Sequence, residues 1–190
     1  MTAPYNFSMS WYWLLIAMLI LIGGCASVIT LHPEPSSTSL QALPYSVRVE
    51  VSQVEAQKRT ERFASTGLSS RAQDVQAWTQ AVAEYFRKRQ LFREVVTDGE
   101  ADLVLAIKVR LWYDPGVSYS PGYLVDLDGV LATPKNAVIG AYRGFAETPA
   151  GLIRLTQASD DIPINKALSK ALDQLASNIE AEATTIGANL

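Results

Sequence analysis

Beyond residue 44 the apolar and polar positions fall into a few clear periods. Residues 45–51 alternate strictly, which predicts a strand with one wet face. The polar stretch 55–67 reads as a loop. Ser69 or Ser70 is placed to cap a helix running to about Gln90, along which Val75, Trp78, Val82, Tyr85 and Phe86 share one side. Residues 91–96 predict a second strand, and Asp98-Gly99 a turn. Residues 101–113 hold the strongest strand pattern: Leu103, Leu105, Ile107, Val109 and Leu111 point one way, and Lys108, Arg110 and Trp112 the other. After the proline-bounded break at 115–121, strand character resumes over 123–131 and again over 137–146, where Gly140 and Gly144 weaken the strand or admit a bulge. Pro149-Ala150-Gly151 reads as a turn before a short strand at 152–155. A last helix follows, capped by Asp160 or Asp161, with Pro163 in its first turn and one continuous stripe of Leu168, Ala171, Leu172, Leu175, Ile179 and Ile186. Two amphipathic helices and about five or six strands, largely in hairpins, predict an α+β domain: a mainly antiparallel sheet with both helices packed on one face.

The first part of the chain follows a different pattern. Residues 11–22 form an apolar run that matches the core of a signal peptide and falls short of the roughly 20 residues a membrane span needs. No Lys or Arg precedes Trp11, so the terminal amine supplies the only positive charge there. Residues 26–44, with His32-Pro33-Glu34-Pro35-Ser36-Ser37-Thr38-Ser39 and Pro44, have neither period and read as a flexible tether of roughly 25 Å r.m.s. reach. Residues 45–190 suffice for one domain with a real core, and are too few for two. The organisation expected is therefore a signal at 1–24, a tether at 25–44 and a single domain at 45–190.

The junction carries the sharpest motif. Leu21-Ile22-Gly23-Gly24-Cys25 places an aliphatic residue and two small ones ahead of the only cysteine, and resembles the lipobox of bacterial lipoprotein signal peptides. The resemblance implies cleavage between Gly24 and Cys25, a diacylglyceryl group on the Cys25 sulfur and an acyl chain on the new amine. The alternative is an uncleaved helix over 11–31. Several acyl chains hold a protein on a membrane where one does so only marginally, so the implied partner is the bilayer itself, through Cys25. Ala26 stands where an aspartate would resemble an inner-membrane retention signal. The expected site is thus the outer membrane with the domain facing the periplasm, and the inner membrane is the alternative.

A second resemblance covers about a third of the chain. Gln90-Leu91-Phe92-Arg93-Glu94-Val95-Val96 after an amphipathic helix, then Ala101-Asp102-Leu103-Val104-Leu105, looks like a pattern found in relatives of the TolB-type N-terminal domain and of the curli-secretion and penicillin-binding-protein-activator lipoproteins. Those families act by binding other envelope proteins, and the resemblance implies a non-enzymatic lipid-anchored protein with an envelope-protein partner.

Composition and candidate chemistry narrow the choice further. The 16 basic and 19 acidic residues give a net charge of −3, which argues against nucleic acid, where a basic stripe is needed. His32 is the only histidine and lies in the expected tether, so no Ser-His-Asp arrangement, metal site or cofactor is expected. Arg87-Lys88-Arg89 suits the negative end of a helix dipole, or an acidic partner. Asp126 and Asp128, two apart on a strand, share a face. They form either a solvated surface or the acid and base of a peptidoglycan-binding or glycan-hydrolysing lipoprotein. Trp112, Tyr113, Tyr119 and Tyr123 bracket the loop at 115–121 and are the expected partner-binding residues if they are not packed together.

Overall fold

In the computed structural model, which describes residues 30–58, 74–114, 122–148 and 161–188, the alternating run at 103–111 becomes the middle of a five-stranded sheet. The elements are β1 (Leu43–Lys58), α1 (Val75–Arg89), β2 (Phe92–Val96), β3 (Leu103–Asp114), β4 (Gly122–Ala132), β5 (Val138–Thr148), α2 (Asp161–Ala181) and a short α3 (Ala183–Ala188). The strand order is β2-β1-β3-β4-β5. Val47 and Val49 of β1, Leu103 to Leu111 of β3, and Val125, Leu127 and Leu131 of β4 are buried on one face. Both helices cover that face: α1 over β1 and β2, α2 over β4 and β5.

The α+β class and the one-sided helices are as the periodicity predicts, but the sheet is mixed rather than mainly antiparallel. β1 runs parallel to both β2 and β3, while β3–β4 and β4–β5 are antiparallel. A hairpin cannot join parallel neighbours, and α1 is the crossover that carries the chain back so that β2 lies beside β1 in the same direction. The link from β2 then steps across β1 on the helix-free side, where Arg48 donates to the Gly99 carbonyl at 2.9 Å. Gly99 takes a φ of +82° in the expected turn.

β1 is longer than its alternation suggests. Its register shifts between Val51 and Gln53, so Val51 and Val54 both reach the core although three positions separate them. The extra residue of a bulge resets the phase, and residues 55–58 continue the strand where the sequence reads as a loop. The cap of α1 also differs: Asp74 Oδ1 accepts from the Gln76 and Ala77 amides at 3.1 Å each, while Ser69 and Ser70 lie outside the described residues. Val75, first in the helix, is exposed. The stripe predicted for the last helix is buried, but a break at Glu182 puts Ile186 on α3. Tyr142 reaches Glu182 at this break, and burial with the nearby carboxylate pushes its phenol to about 12. The expected strand at 152–155 and the cap at Asp160 lie outside the described residues.

Two local devices seat these layers. Gly144 lets α2 approach the sheet: a Cβ there would fall 2.0 Å from the Ala171 carbonyl oxygen, so this glycine marks close approach and not a bulge. Ser46 and Asp102 clasp the parallel strands β1 and β3. Asp102 Oδ2 accepts from the Ser46 amide and hydroxyl at 2.8 Å each, and the Asp102 amide donates back to Ser46 Oγ at 2.9 Å. The Ser46 hydrogen bonds, backbone first, hold the Asp102 carboxyl below its usual range.

Residues 30–42, read from sequence as tether, form an extended strap lying along α2 and across the end of α1. Asn165 pins its start with both amide atoms, accepting from the His32 amide at 2.7 Å and donating to the Thr30 carbonyl at 2.8 Å. The Glu34 amide donates to Ser169 Oγ at 2.8 Å and the Ser36 amide to Asp173 Oδ1 at 3.2 Å. The spacing has a simple origin. Two extended residues advance about 6.2 Å at 3.1 Å each, and four helical residues about 6.0 Å at 1.5 Å each, so every second strap amide meets every fourth side chain of α2. At its far end the Ser39 amide donates to the Arg89 carbonyl at 2.7 Å, and its hydroxyl bonds Glu180.

Two outcomes follow from these contacts. Gly144→Ala is expected to destabilise the fold by about 1–3 kcal/mol or more through overpacking, read as a lower urea midpoint. Asp102→Asn is expected to destabilise the protein at pH 7. Because the folded carboxyl is held low, the wild-type advantage is full above the ordinary carboxylate range near pH 4 and is lost as pH falls through the folded value. The gap between the two midpoints should therefore narrow in acid.

Candidate functional site

The helix-free face of the sheet gathers the polar candidates. Alternation sends Lys108, Arg110 and Trp112 of β3, Asp126 and Asp128 of β4, and Arg143 and Phe145 of β5 to this side, away from their buried neighbours. The register sets Arg110 opposite Asp126, and Asp128 between Lys108 and Arg143. The acids of β4 thus lie between bases on both adjoining strands, the arrangement in which cross-strand pairs attract.

Asp126 is the centre of this network. Arg143 grips it with a fork, Nε to Oδ1 at 2.7 Å and Nη2 to Oδ2 at 2.9 Å, and Arg110 Nη2 lies 2.8 Å from Oδ2. Arg110 also pairs with Asp128. Asp126 is only 2% exposed although no described helix lies over it. The hydrogen bonds and charge of Asp126 push the Arg143 guanidinium above its ordinary value. Beside the network Lys108 pairs with Glu55 at 2.9 Å and Arg48 with Glu50 at 2.6 Å.

The geometry therefore brings Asp126 and Asp128 together, as their spacing predicts, but around shared arginines. A general acid must reach the atom it protonates, and Asp126 is both covered and committed. Sequence reading missed Arg143, whose role depends on the pairing of β4 with β5.

The four aromatic candidates separate. Trp112 is half-buried on the helix-free face. Tyr123 points the opposite way and is 1% exposed, so it is a core residue and not a contact for a partner. β3 and β4 place the backbones of Tyr113 and Tyr123 opposite one another, but the Tyr113 side chain and all of Tyr119 lie outside the described residues, as do Gly24 and Cys25. Apolar residues exposed on this face include Phe145, at 46%, and Val130.

Side chains occupy some backbone groups of the sheet edges. On β5 the Phe145 amide donates to Gln174 Oε1 at 2.8 Å and Asn178 Nδ2 to the Arg143 carbonyl at 2.9 Å. On β2 Arg87 Nε donates to the Val95 carbonyl at 3.1 Å. Occupied edge groups obstruct an added strand at those positions. In the basic run at the end of α1 only Arg89 is buried, meeting Asp173 and Glu180 at 3.3 Å each, while the exposed Lys88 meets Glu34 at 2.7 Å.

No protein-family model matches the chain, and no curated protein matches it. Solved structures of similar shape do exist. A Xanthomonas campestris protein of the DUF330 family is 17% identical, over 83% of this chain and 96% of that one, with a TM-score of 0.48. A PelC dodecamer from Paraburkholderia phytofirmans is 19% identical over 74% and 93%, with a TM-score of 0.38. A candidate lipoprotein from Caulobacter crescentus is 13% identical over 72% and 90%, with a TM-score of 0.37.

Removing the central acid tests the network. Asp126→Ala leaves two arginines facing each other and is expected to destabilise the fold by about 1–3 kcal/mol. That is below the figure for a fully buried pair, because the Arg143 side chain is 63% exposed. Asp128→Asn should shift the urea midpoint far less.

Proposed function

We propose that the chain is a lipid-anchored envelope protein that acts by binding another envelope protein through the helix-free face of its sheet. The observation that carries this reading is the uncovered face itself. Strands β3, β4 and β5 present Trp112, Val130 and Phe145 among paired charges, with no described helix over them. The Lys108–Asp128–Arg143 row lies between Phe145 and Val130, so the face offers separate apolar points around a charged centre, a mixture that contact surfaces use. The occupied groups on β5 and β2 favour the face over strand addition at those positions. Anchoring is the part supplied by Leu21-Ile22-Gly23-Gly24-Cys25. Among the described residues no helix is long and apolar enough to cross a membrane, and lipid on Cys25 would hold the domain at the periplasmic surface of the outer membrane. Confinement there raises the local concentration of the domain around any partner on the same surface.

Intact mass and membrane partition of the protein from its native cell, beside Cys25→Ser, test the anchor. The expected result is a lipidated Cys25 at the mature amino terminus and loss of partition in the variant; a full-length unmodified chain would overturn it. A photo-crosslinking residue at position 145 is expected to capture one discrete envelope protein, while the same residue at Lys170, on the outer side of α2, captures none. With the photo-crosslinking residue moved to position 130, Phe145→Glu should reduce capture at least tenfold while changing stability by less than about 0.5 kcal/mol. Equal capture from positions 145 and 170 would rule out this face.

A further inference from the structure

We propose that the docked strap is a short leash that holds the domain close over the bilayer with the amino-terminal end of α2 towards it, and that undocking turns the same chain into a long leash. The proposal rests on the reading of Cys25 as lipidated. Only residues 26–29 separate Cys25 from Thr30, whose carbonyl is held by Asn165 near the start of α2. Five steps of chain span at most about 17 Å. With the strap released the chain is free as far as Leu43, where β1 begins, and the eighteen steps from Cys25 span at most about 60 Å.

The strap also fixes which end of the domain meets the lipid. The start of α2 lies at one end of the sheet, where the Thr148 hydroxyl donates to the Pro163 carbonyl at 3.2 Å and to that of Tyr123 at 3.3 Å. Trp112 stands near the same end of β3, directly across from Leu124, and tryptophan is a side chain suited to a membrane–water interface.

The docking is mainly polar, with Leu31 only partly buried against the core, and is therefore reversible. Among residues 30–42 only Pro33 is buried, and Leu40 is fully exposed. The remaining grip comes from backbone groups bonded to Asn165, Ser169 and Asp173, from Glu34 on Lys88, and at the far end from Ser37 and Ser39 on Arg89 and Glu180, which open to water as the strap leaves. Water can replace each of these bonds at little net cost. The sheet's own pairing starts at Leu43, so the strap can leave without taking a strand with it.

The test uses the processed full chain from its native membrane, reconstituted in phosphatidylcholine vesicles with dansyl-labelled headgroups. Once the signal is removed, Trp78 and Trp112 are the tryptophan donors. Wild type is expected to transfer energy strongly to the headgroups, and the double variant Asn165→Ala, Ser169→Ala to transfer at least twofold less. Adding Glu34→Cys and Lys88→Cys to that variant, and bridging the pair with a short bis-maleimide in place of the long side chains that meet there, is expected to restore transfer by locking the strap. Equal transfer from anchored wild type and the double variant, or no recovery on locking, overturns the leash while leaving the lipid reading intact. A mass without lipid on Cys25 overturns the lipid reading, and the leash with it.

Discussion

Arg89 sits where three pieces of chain meet. It projects from the last turn of α1, is 5% exposed, and is paired with Asp173 and Glu180 of α2 and with Ser37 of the strap. A guanidinium taken out of water costs several kcal/mol unless it is surrounded by partners. The two helices touch each other only lightly and each covers its own part of the sheet, so this charge cluster is what makes their positions depend on one another. Tyr85 of α1 adds a second link, its hydroxyl donating to Asp173. Burial, and then that carboxylate, push the phenol well above its ordinary value. The strap closes the outer side of the cluster. Loss of either acid of α2 would leave Arg89 short of acceptors, and of the three basic residues at this helix end Arg89 alone is buried.

The helix-free face uses the same electrostatic plan with the signs reversed. There Asp126 is the covered charge and two arginines are its outer partners, where on the other side Arg89 is covered and two acids surround it. In both clusters the residue with least access to water lies between two opposite charges that keep some access of their own. Such a cluster can stand on a sheet face without a protein layer over it. The apolar exposure at Phe145 and Val130 therefore lies beside a frame of paired charges.

How much of this could be read from sequence depended on whether a signal was local. Leu103 to Leu111 against Lys108, Arg110 and Trp112 needed only alternation, and the faces came out as read. The Leu91-Phe92 and Ala101-Asp102 motifs had local physical meaning: Gln90 ends α1 in the left-handed region at φ 59°, Phe92 packs on Phe86, and Asp102 clasps Ser46. What failed was non-local. Parallel pairing of β1 depends on where α1 returns the chain, and a bulge at Val51 hid seven further residues of strand. Tyr123 looked like a loop aromatic because it follows prolines, yet its parity with Val125 and Leu127 already placed it on the buried side.

The strap shows a signal that was present but not recognised. Asn165, Ser169 and Asp173 recur every four residues beside the stripe of Leu168, Leu172 and Leu175. An exposed helix ridge has no reason to choose short polar side chains at that spacing; lysine and glutamate would solvate it as well and favour the helix more. Short side chains keep a donor or acceptor close to the helix surface, where an extended backbone lying alongside can reach it. The fourfold spacing then matches alternate amides of that backbone. Such a ridge, paired with a proline-containing segment elsewhere in the chain, predicts a docked strap. Here the matching segment is His32 to Ser36, which composition alone had marked as a free tether.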